Sequence, residues 1–191
     1  MGKIILFICT GNTCRSPMAE GLMRRLAQEA GLELTIKSAG VAAMVGGPIS
    51  AHSKRVLEDK GAQAESVSQA VNAKLVEEAD LILTMTVRHK QQVLSRFPAA
   101  TGKIFMLKEY AREGQTEGNN FSDRELVELL LQQSLSGTST THDKSRTSFL
   151  DRMEEDCDIS DPFGGSLRDY KMCADEIEDA LQRIVQKLKK N

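Results

Sequence analysis

The stretch Lys3-Ile4-Ile5-Leu6-Phe7-Ile8-Cys9-Thr10-Gly11-Asn12-Thr13-Cys14-Arg15-Ser16-Pro17 decides the fold. Its first half is a short, almost unbroken apolar run rich in β-branched residues. That pattern fits a strand covered on both faces, as in a parallel sheet. A polar, glycine-containing turn follows, from Thr10 to Arg15. Ser16-Pro17 then reads as a helix start, since serine caps well and proline suits the first helical position. Met18, Leu22 and Leu26 keep helical spacing, and Gly31 marks the stop.

The same alternation continues outward. Leu34 to Ala39 reads as a second strand, Gly40 to Pro48 as a loop, and Ser50 to Lys60 as a helix stopped by Gly61. Asn72 caps a short helix through Ala79. Leu81 to Met85 is a third buried strand with the helix Thr86 to Arg96 behind it, and Lys103 to Leu107 is a fourth. Leu167 to Lys189 is a long amphipathic helix with Ile177, Leu181, Ile184, Val185 and Leu188 on one side. Its basic end complements the helix dipole. Strands alternating with helices predict an α/β domain with a parallel sheet and right-handed crossovers. Arg112 to Asp158 breaks the rhythm, with no strand. Ser122 to Glu125 reads as a capping box ahead of a leucine-rich helix, Ser134 to Ser148 as a Ser/Thr-rich loop, and Phe149 to Cys157 as a short helix.

The 191 residues fit one domain with an addition, large enough to bury a full core without metals or disulfides. A formal charge of −2 argues against a generally basic nucleic-acid binder. The longest apolar stretch, Ile4 to Cys9, is too short to span a membrane, and no signal-peptide layout is visible. Four cysteines are too few for a disulfide scaffold, so a reducing cytoplasm is the expected location.

The chemistry is concentrated at the first strand–helix turn. Ligands bind open α/β sheets at the carboxyl ends of strands, and a helix start offers unpaired N–H groups to an anion. The turn residues Thr10, Gly11, Asn12, Thr13, Cys14 and Arg15 therefore read as a phosphate cradle. Arg15 adds a planar fork that matches a phosphate edge. The same field favours the thiolate form of Cys9, a nucleophile facing a bound phosphoryl group. Such a displacement needs a carboxyl group as acid and then base. Asp161-Pro162-Phe163-Gly164-Gly165 offers one on a rigid turn. Cys9 and Cys14 lack the two further ligands of a zinc site, so neither metal nor cofactor is expected. His52, His89 and His142 read as solvated surface histidines, and Cys157 and Cys173 as bystanders.

These residues closely resemble the low-molecular-weight protein tyrosine phosphatase family. The shared pattern is Cys-x-Gly-Asn-x-Cys-Arg-Ser-Pro, matched from Cys9 to Pro17, followed in order by Ser38-Ala39-Gly40 and Asp161-Pro162. The resemblance implies a four-stranded parallel sheet with helices on both faces. It makes Cys9 the nucleophile, Arg15 the phosphate ligand and Asp161 the general acid and then base. Asn12, Ser16 and Ser38 would hold the loop and the thiolate. Members acting on phosphotyrosine usually carry Ile or Val where this chain has Thr13, and two aromatic residues after the acid-loop Asp-Pro where it has Phe163 and Gly164. With Met18-Ala19-Glu20 and Leu107-Lys108-Glu109-Tyr110, these features resemble the protein arginine phosphatase branch, with Thr13 and Phe163 setting specificity.

The implied function is hydrolysis of phosphoarginine in proteins through a phosphocysteine intermediate. Tyrosine phosphatase is the alternative. Arsenate reductases need two further mid-chain cysteines, and none lies between Cys14 and Cys157. An idle phosphate-binding module has no need of both a nucleophile and an acid. The expected partners are phosphorylated proteins, with no nucleic acid and no membrane, and oligomeric state is not legible. Two departures stand out. Many members use a His to support the loop Asn, where this chain has Ser66-Val67-Ser68. The 112–158 region is longer than usual and is read as neutral extension, with a substrate-selecting lid as the alternative. Cys14 is the expected redox partner of Cys9.

Overall fold

The computed structural model describes residues 2–63, 67–112 and 157–190. The chain runs β1 (Lys3–Cys9), α1 (Arg15–Glu29), β2 (Leu34–Gly40), α2 (Ala51–Asp59), α3 (Ala73–Glu78), β3 (Leu81–Thr84), α4 (Val87–Arg96), a 3-10 turn (Pro98–Ala100), β4 (Ile104–Met106), α5 (Leu107–Arg112) and α6 (Leu167–Leu188). The strands form one parallel sheet in the order β2-β1-β3-β4.

Alternation along β1 explains why both faces carry helices. Ile5, Phe7 and Cys9 point into one core with Met18 and Leu22 of α1 and Ile177, Leu181 and Ile184 of α6. Leu6 and Ile8 point into the other, with Val76 of α3 and Val93 of α4. A strand buried on both sides must be apolar at consecutive positions, which is why Ile4 to Cys9 lacks a polar alternate. β1 pairs with β2 on one edge and β3 on the other, so the chain reverses direction across the sheet at the end of β1. Neighbouring crossovers leave a crevice at such a switch point.

The expected strands and helices appear with ends shifted by a residue or two. Asn72 caps α3, its side chain accepting from Leu75 N at 3.0 Å. The start of α1 differs from expectation: Cys14 holds the N-cap position, and Ser16 and Pro17 lie inside the first turn. Ser16 is not a cap because its hydroxyl is taken up by the nucleophile loop. Helix α5 carried no capping signal in sequence. Glu109 anchors it by accepting from Met106 N at 2.8 Å. The helices expected over 122–131 and 149–157 lie outside the described residues, apart from Cys157, which sits in a turn. Among the described residues no helix is long and apolar enough to cross a membrane.

Candidate active site

The loop from Cys9 to Arg15 bends around Asn12, a non-glycine residue with φ of +54°. That left-handed conformation is uncommon outside glycine, though asparagine tolerates it better than most. Here the side chain holds it in place. Asn12 Nδ2 donates to Ser16 Oγ at 2.9 Å and to Ser38 Oγ at 2.8 Å, and Asn12 Oδ1 accepts from Gln69 N at 2.8 Å. Because Gln69 N–H fixes the amide orientation, the direction of the remaining bonds follows. Ser38 accepts from Asn12 and donates to the buried carboxylate of Glu20. Glu20 is in turn paired with Arg24 at 2.6 Å. Ser16 accepts from Asn12, which leaves its O–H for Cys9 Sγ at 3.0 Å, nearer than its other acceptor, Ala39 O, at 3.4 Å.

Backbone bonds turn the loop's carbonyls outward. Thr10 O accepts from Ala42 N, Gly11 O from Ser68 Oγ and Thr13 O from Ser50 N, at 2.8 to 2.9 Å. In a trans peptide the next residue's N–H points the opposite way, so the inner side of the loop is lined with donors. Gly40 makes this close approach possible: a Cβ there would sit 2.5 Å from Thr10 O and 2.9 Å from Asn12 N. The glycine of Ser38-Ala39-Gly40 is thus required by proximity of two backbones.

Arg15 is 4% exposed and reaches the acid loop. Its Nη2 pairs with Asp161 Oδ2 at 2.6 Å and its Nη1 donates to Ile159 O at 3.3 Å, while Nε is buried with no partner among the described residues. Asp161 has a side chain 51% exposed, and its Oδ1 accepts from Phe163 N at 3.2 Å. Cys9, Thr10, Gly11, Thr13, Cys14, Arg15, Asp161 and Phe163 surround one cavity of about 230 Å³. The structure thus brings the nucleophile, cradle, acid and specificity residues of the sequence reading together. Asn12, Ser16 and Ser38 lie behind the loop as its support.

Four residues of the site were not anticipated. Glu20 and Gln69 complete the support of Asn12, and Ser68 holds Gly11 O. Ser68 lies in the segment read as the counterpart of the family's supporting histidine and Gln69 follows it, whereas Glu20 comes from α1; Ser66 lies outside the described residues. The only available sequence signal was the helical spacing Ser16-Glu20-Arg24, which puts all three on one face of α1. The fourth is His89, which is not a surface histidine. It is 4% exposed, with Nε2 2.8 Å from Thr10 Oγ1 and Nδ1 2.9 Å from Thr86 Oγ1. Burial, then the charge of Arg15, lowers its pKa to about 4 against a weaker opposing pull from Asp161. His52 is exposed and packs edge-on against Tyr170, and His142 lies outside the described residues.

The cysteines differ in setting. All four are free and buried. Cys14 Sγ lies 3.2 Å from Tyr170 OH, and burial followed by this contact pushes the phenol up to about 12. Burial likewise pushes Cys173 up to about 12, which leaves it an unreactive thiol. Cys157 Sγ lies 3.4 Å from Arg112 Nη1. No group of three or more His, Cys, Asp or Glu side chains among the described residues could hold a metal ion.

A family description, low molecular weight phosphotyrosine protein phosphatase, matches residues 4–125 and 121–191. The chain belongs to this family. It is 35% identical over 187 residues to the protein-arginine-phosphatase of Bacillus subtilis (strain 168), a match spanning 98% of this chain and 97% of that one. It is 36% identical over 184 residues to the protein-arginine-phosphatase of Geobacillus stearothermophilus, spanning 96% and 95%. Among solved structures it resembles a YwlE arginine phosphatase mutant with a phosphorylated active site serine, at 34% identity and a TM-score of 0.73, over 98% of this chain and 97% of that one. The low-molecular-weight phosphatase sheet expected from sequence is the one observed, and these full-length relatives agree with the arginine phosphatase branch.

Proposed function

We propose that this chain is a cysteine-dependent phosphatase that hydrolyses phosphoarginine in proteins. The observation that carries the reading is the convergence of Cys9, Arg15 and Asp161 on one small cavity, lined also by Thr10, Gly11, Thr13 and Cys14 of the loop. The phosphoryl dianion takes over Arg15 and the loop donors, which releases Asp161 beside the leaving group. Cys9 Sγ, with Ser16 O–H donating to it, attacks phosphorus in line. The P–N bond breaks, and protonated Asp161 gives its proton to the departing guanidine nitrogen. Water then attacks the phosphocysteine while Asp161 takes a proton from it, and the S–P bond breaks to free phosphate and restore the thiolate.

Specificity rests with Thr13 and Phe163. Phe163 is 78% exposed and is followed by Gly164, so the mouth offers one aromatic wall. A planar polar guanidinium tolerates that arrangement better than a phenyl ring that needs a sandwich. Phosphotyrosine hydrolysis is the second reading, because the family description is built on it. Side-by-side kinetics on phosphoarginine, phosphotyrosine and phosphoserine peptides decide between them, with Cys9→Ser as the inactive control. Faster turnover of phosphotyrosine by the native chain would sink the arginine assignment. Thr13→Ile should shift selectivity toward phosphotyrosine.

We read residues 1–191 as one phosphatase domain with 112–158 inserted ahead of the acid loop, acting on phosphoproteins in the cytoplasm, where thiols stay reduced. Under peroxide, oxidation of Cys9 to a sulfenic acid and attack by Cys14 would release water and form a disulfide that stops turnover reversibly. Cys14 must leave Tyr170 to do so. Thiol-reversible inactivation that persists in Cys14→Ser removes this role.

A further inference from the structure

We infer that His89 is a positioning residue for the phosphate loop, holding the Thr10 hydroxyl so that its O–H and the adjoining loop face the incoming phosphoryl group. The inference rests on the phosphatase reading above and concerns a residue outside the motif that carries it. Thr10 lies on the wall between the catalytic cavity and a neighbouring polar cavity of about 560 Å³ bordered by Thr86, Arg88, His89 and Asp158. Its carbonyl is pinned by Ala42 N on the β2 side. Among the described residues His89 supplies the only side-chain hydrogen bond to Thr10, from the opposite side.

The bonding of the ring is directional. His89 is the third residue of α4, and its own N–H donates at 3.3 Å to Thr86 Oγ1, the helix cap. On our assignment the Thr86 O–H donates in turn to Nδ1 of His89, at 2.9 Å, which leaves Nε2 as the ring's donor. With Nδ1 accepting, the neutral ring carries its proton on Nε2 and donates it to Thr10 Oγ1 at 2.8 Å. Thr10 Oγ1 is thereby an acceptor from the protein, and its own proton is left to point into the cavity. Capping α4 requires only the Thr86 hydroxyl. The second ring nitrogen bonds Thr10, so an apolar side chain of similar size would fill the space but lose both the loop contact and the Nδ1 bond to Thr86. The charged groups that act on the ring are Arg15, Asp161 and Arg88, and burial first, with the two cations after it, keeps it neutral against Asp161.

The test uses the full chain with an aryl phosphate as substrate and orthovanadate as a mimic of the transferring group. His89→Asn keeps a partner for Thr86 and gives up Thr10. His89→Gln can return an N–H to Thr10. Thr10→Val removes the acceptor. His89→Asn is expected to lower kcat/KM and weaken vanadate inhibition by about tenfold, the scale of one hydrogen bond. His89→Gln should recover most of that loss. Thr10→Val should lose at least as much as His89→Asn, because it removes the hydroxyl itself, and the double variant should be no worse than Thr10→Val alone, because the His89 bond is already gone. A Gln variant as impaired as the Asn variant overturns the inference. So does a double variant whose loss is the product of the two singles, or a melting-temperature drop with vanadate binding unchanged. A native chain that neither turns over the aryl phosphate nor binds vanadate refutes the phosphatase reading and the inference with it.

Discussion

The two halves of the catalytic site are built differently. The Cys9–Arg15 loop is held by a chain of bonds running from half-buried Arg24 through buried Glu20, Ser38, Asn12 and Ser16 to Cys9. The acid loop is fastened at its base and bare at its tip. At the base, Ile159 N donates to Met85 O at 2.8 Å, Asp158 accepts from Val87 N, and Ser160 is held by Glu176 of α6. At the tip, Asp161 is half exposed, and among the described residues its carboxylate bonds to Arg15 and Phe163 N. The difference follows from the work of each. Charge develops over the nucleophile loop, and donors fixed beforehand stabilise it without reorganising. The acid must let go of Arg15 when the dianion arrives and reach a leaving group of variable shape.

Breaking the exposed half has the largest expected effect. Asp161→Asn removes the proposed proton donor and should lower kcat by about a hundredfold or more, the range of general acid catalysis. It should also tighten inhibition by inorganic phosphate, because the carboxylate that competes for Arg15 is gone. Measuring kcat and the phosphate inhibition constant together separates these effects. Unchanged phosphate affinity would show that the Arg15–Asp161 pair does not hold back ligand.

In the buried half, Asn12 carries both a strained backbone and three hydrogen bonds, and two variants divide them. Asn12→Gly keeps the φ of +54° accessible and loses the side chain, whereas Asn12→Ala loses both. We expect kcat/KM to fall by about tenfold for Gly and nearer a hundredfold for Ala, since left-handed alanine costs an additional ~1–2 kcal/mol. Equal losses would assign the whole role of Asn12 to its amide.

How much was legible in the sequence follows the same division. The strand Ile4 to Cys9, the loop and the helix behind it could be read because consecutive apolar residues, a polar glycine turn and helical spacing are local patterns. Cys9 and Arg15 followed from their position at that turn. Asp161 is more than a hundred residues away: its Asp-Pro turn made it a candidate by local grammar alone, a common pattern, and the family resemblance assigned its role. Glu20, Gln69, Ser68 and His89 escaped because they act only across the fold. A lone histidine in an amphipathic helix looks like surface until β3 and the phosphate loop close over it. Ser16 was misread for a related reason: a serine before a proline is good capping grammar, but here tertiary bonding claims the hydroxyl.

The smallest expected effect tests whether His89 belongs to the rigid half. Its pKa is lowered from 6.5 to about 4, first by burial and then by Arg15. As pH falls through 6.5 the unfolded chain gains a proton at this residue while the native chain does not. Native stability from this group is therefore complete above pH 6.5 and is lost progressively down to about 4. Between pH 8 and pH 6 the loss is about 1 kcal/mol. Carboxylates with ordinary or lowered pKa values stay ionised in that interval, so they do not obscure it. Urea unfolding of the native chain should weaken by this amount over the interval, and His89→Gln, which has nothing to titrate there, should run flatter. Parallel curves for the two proteins would mean that the imidazole charges as readily in the folded state as in the unfolded one. The link from α4 to Thr10 would then be loose enough to admit water, and the rigid half of the site would end at the Asn12 chain.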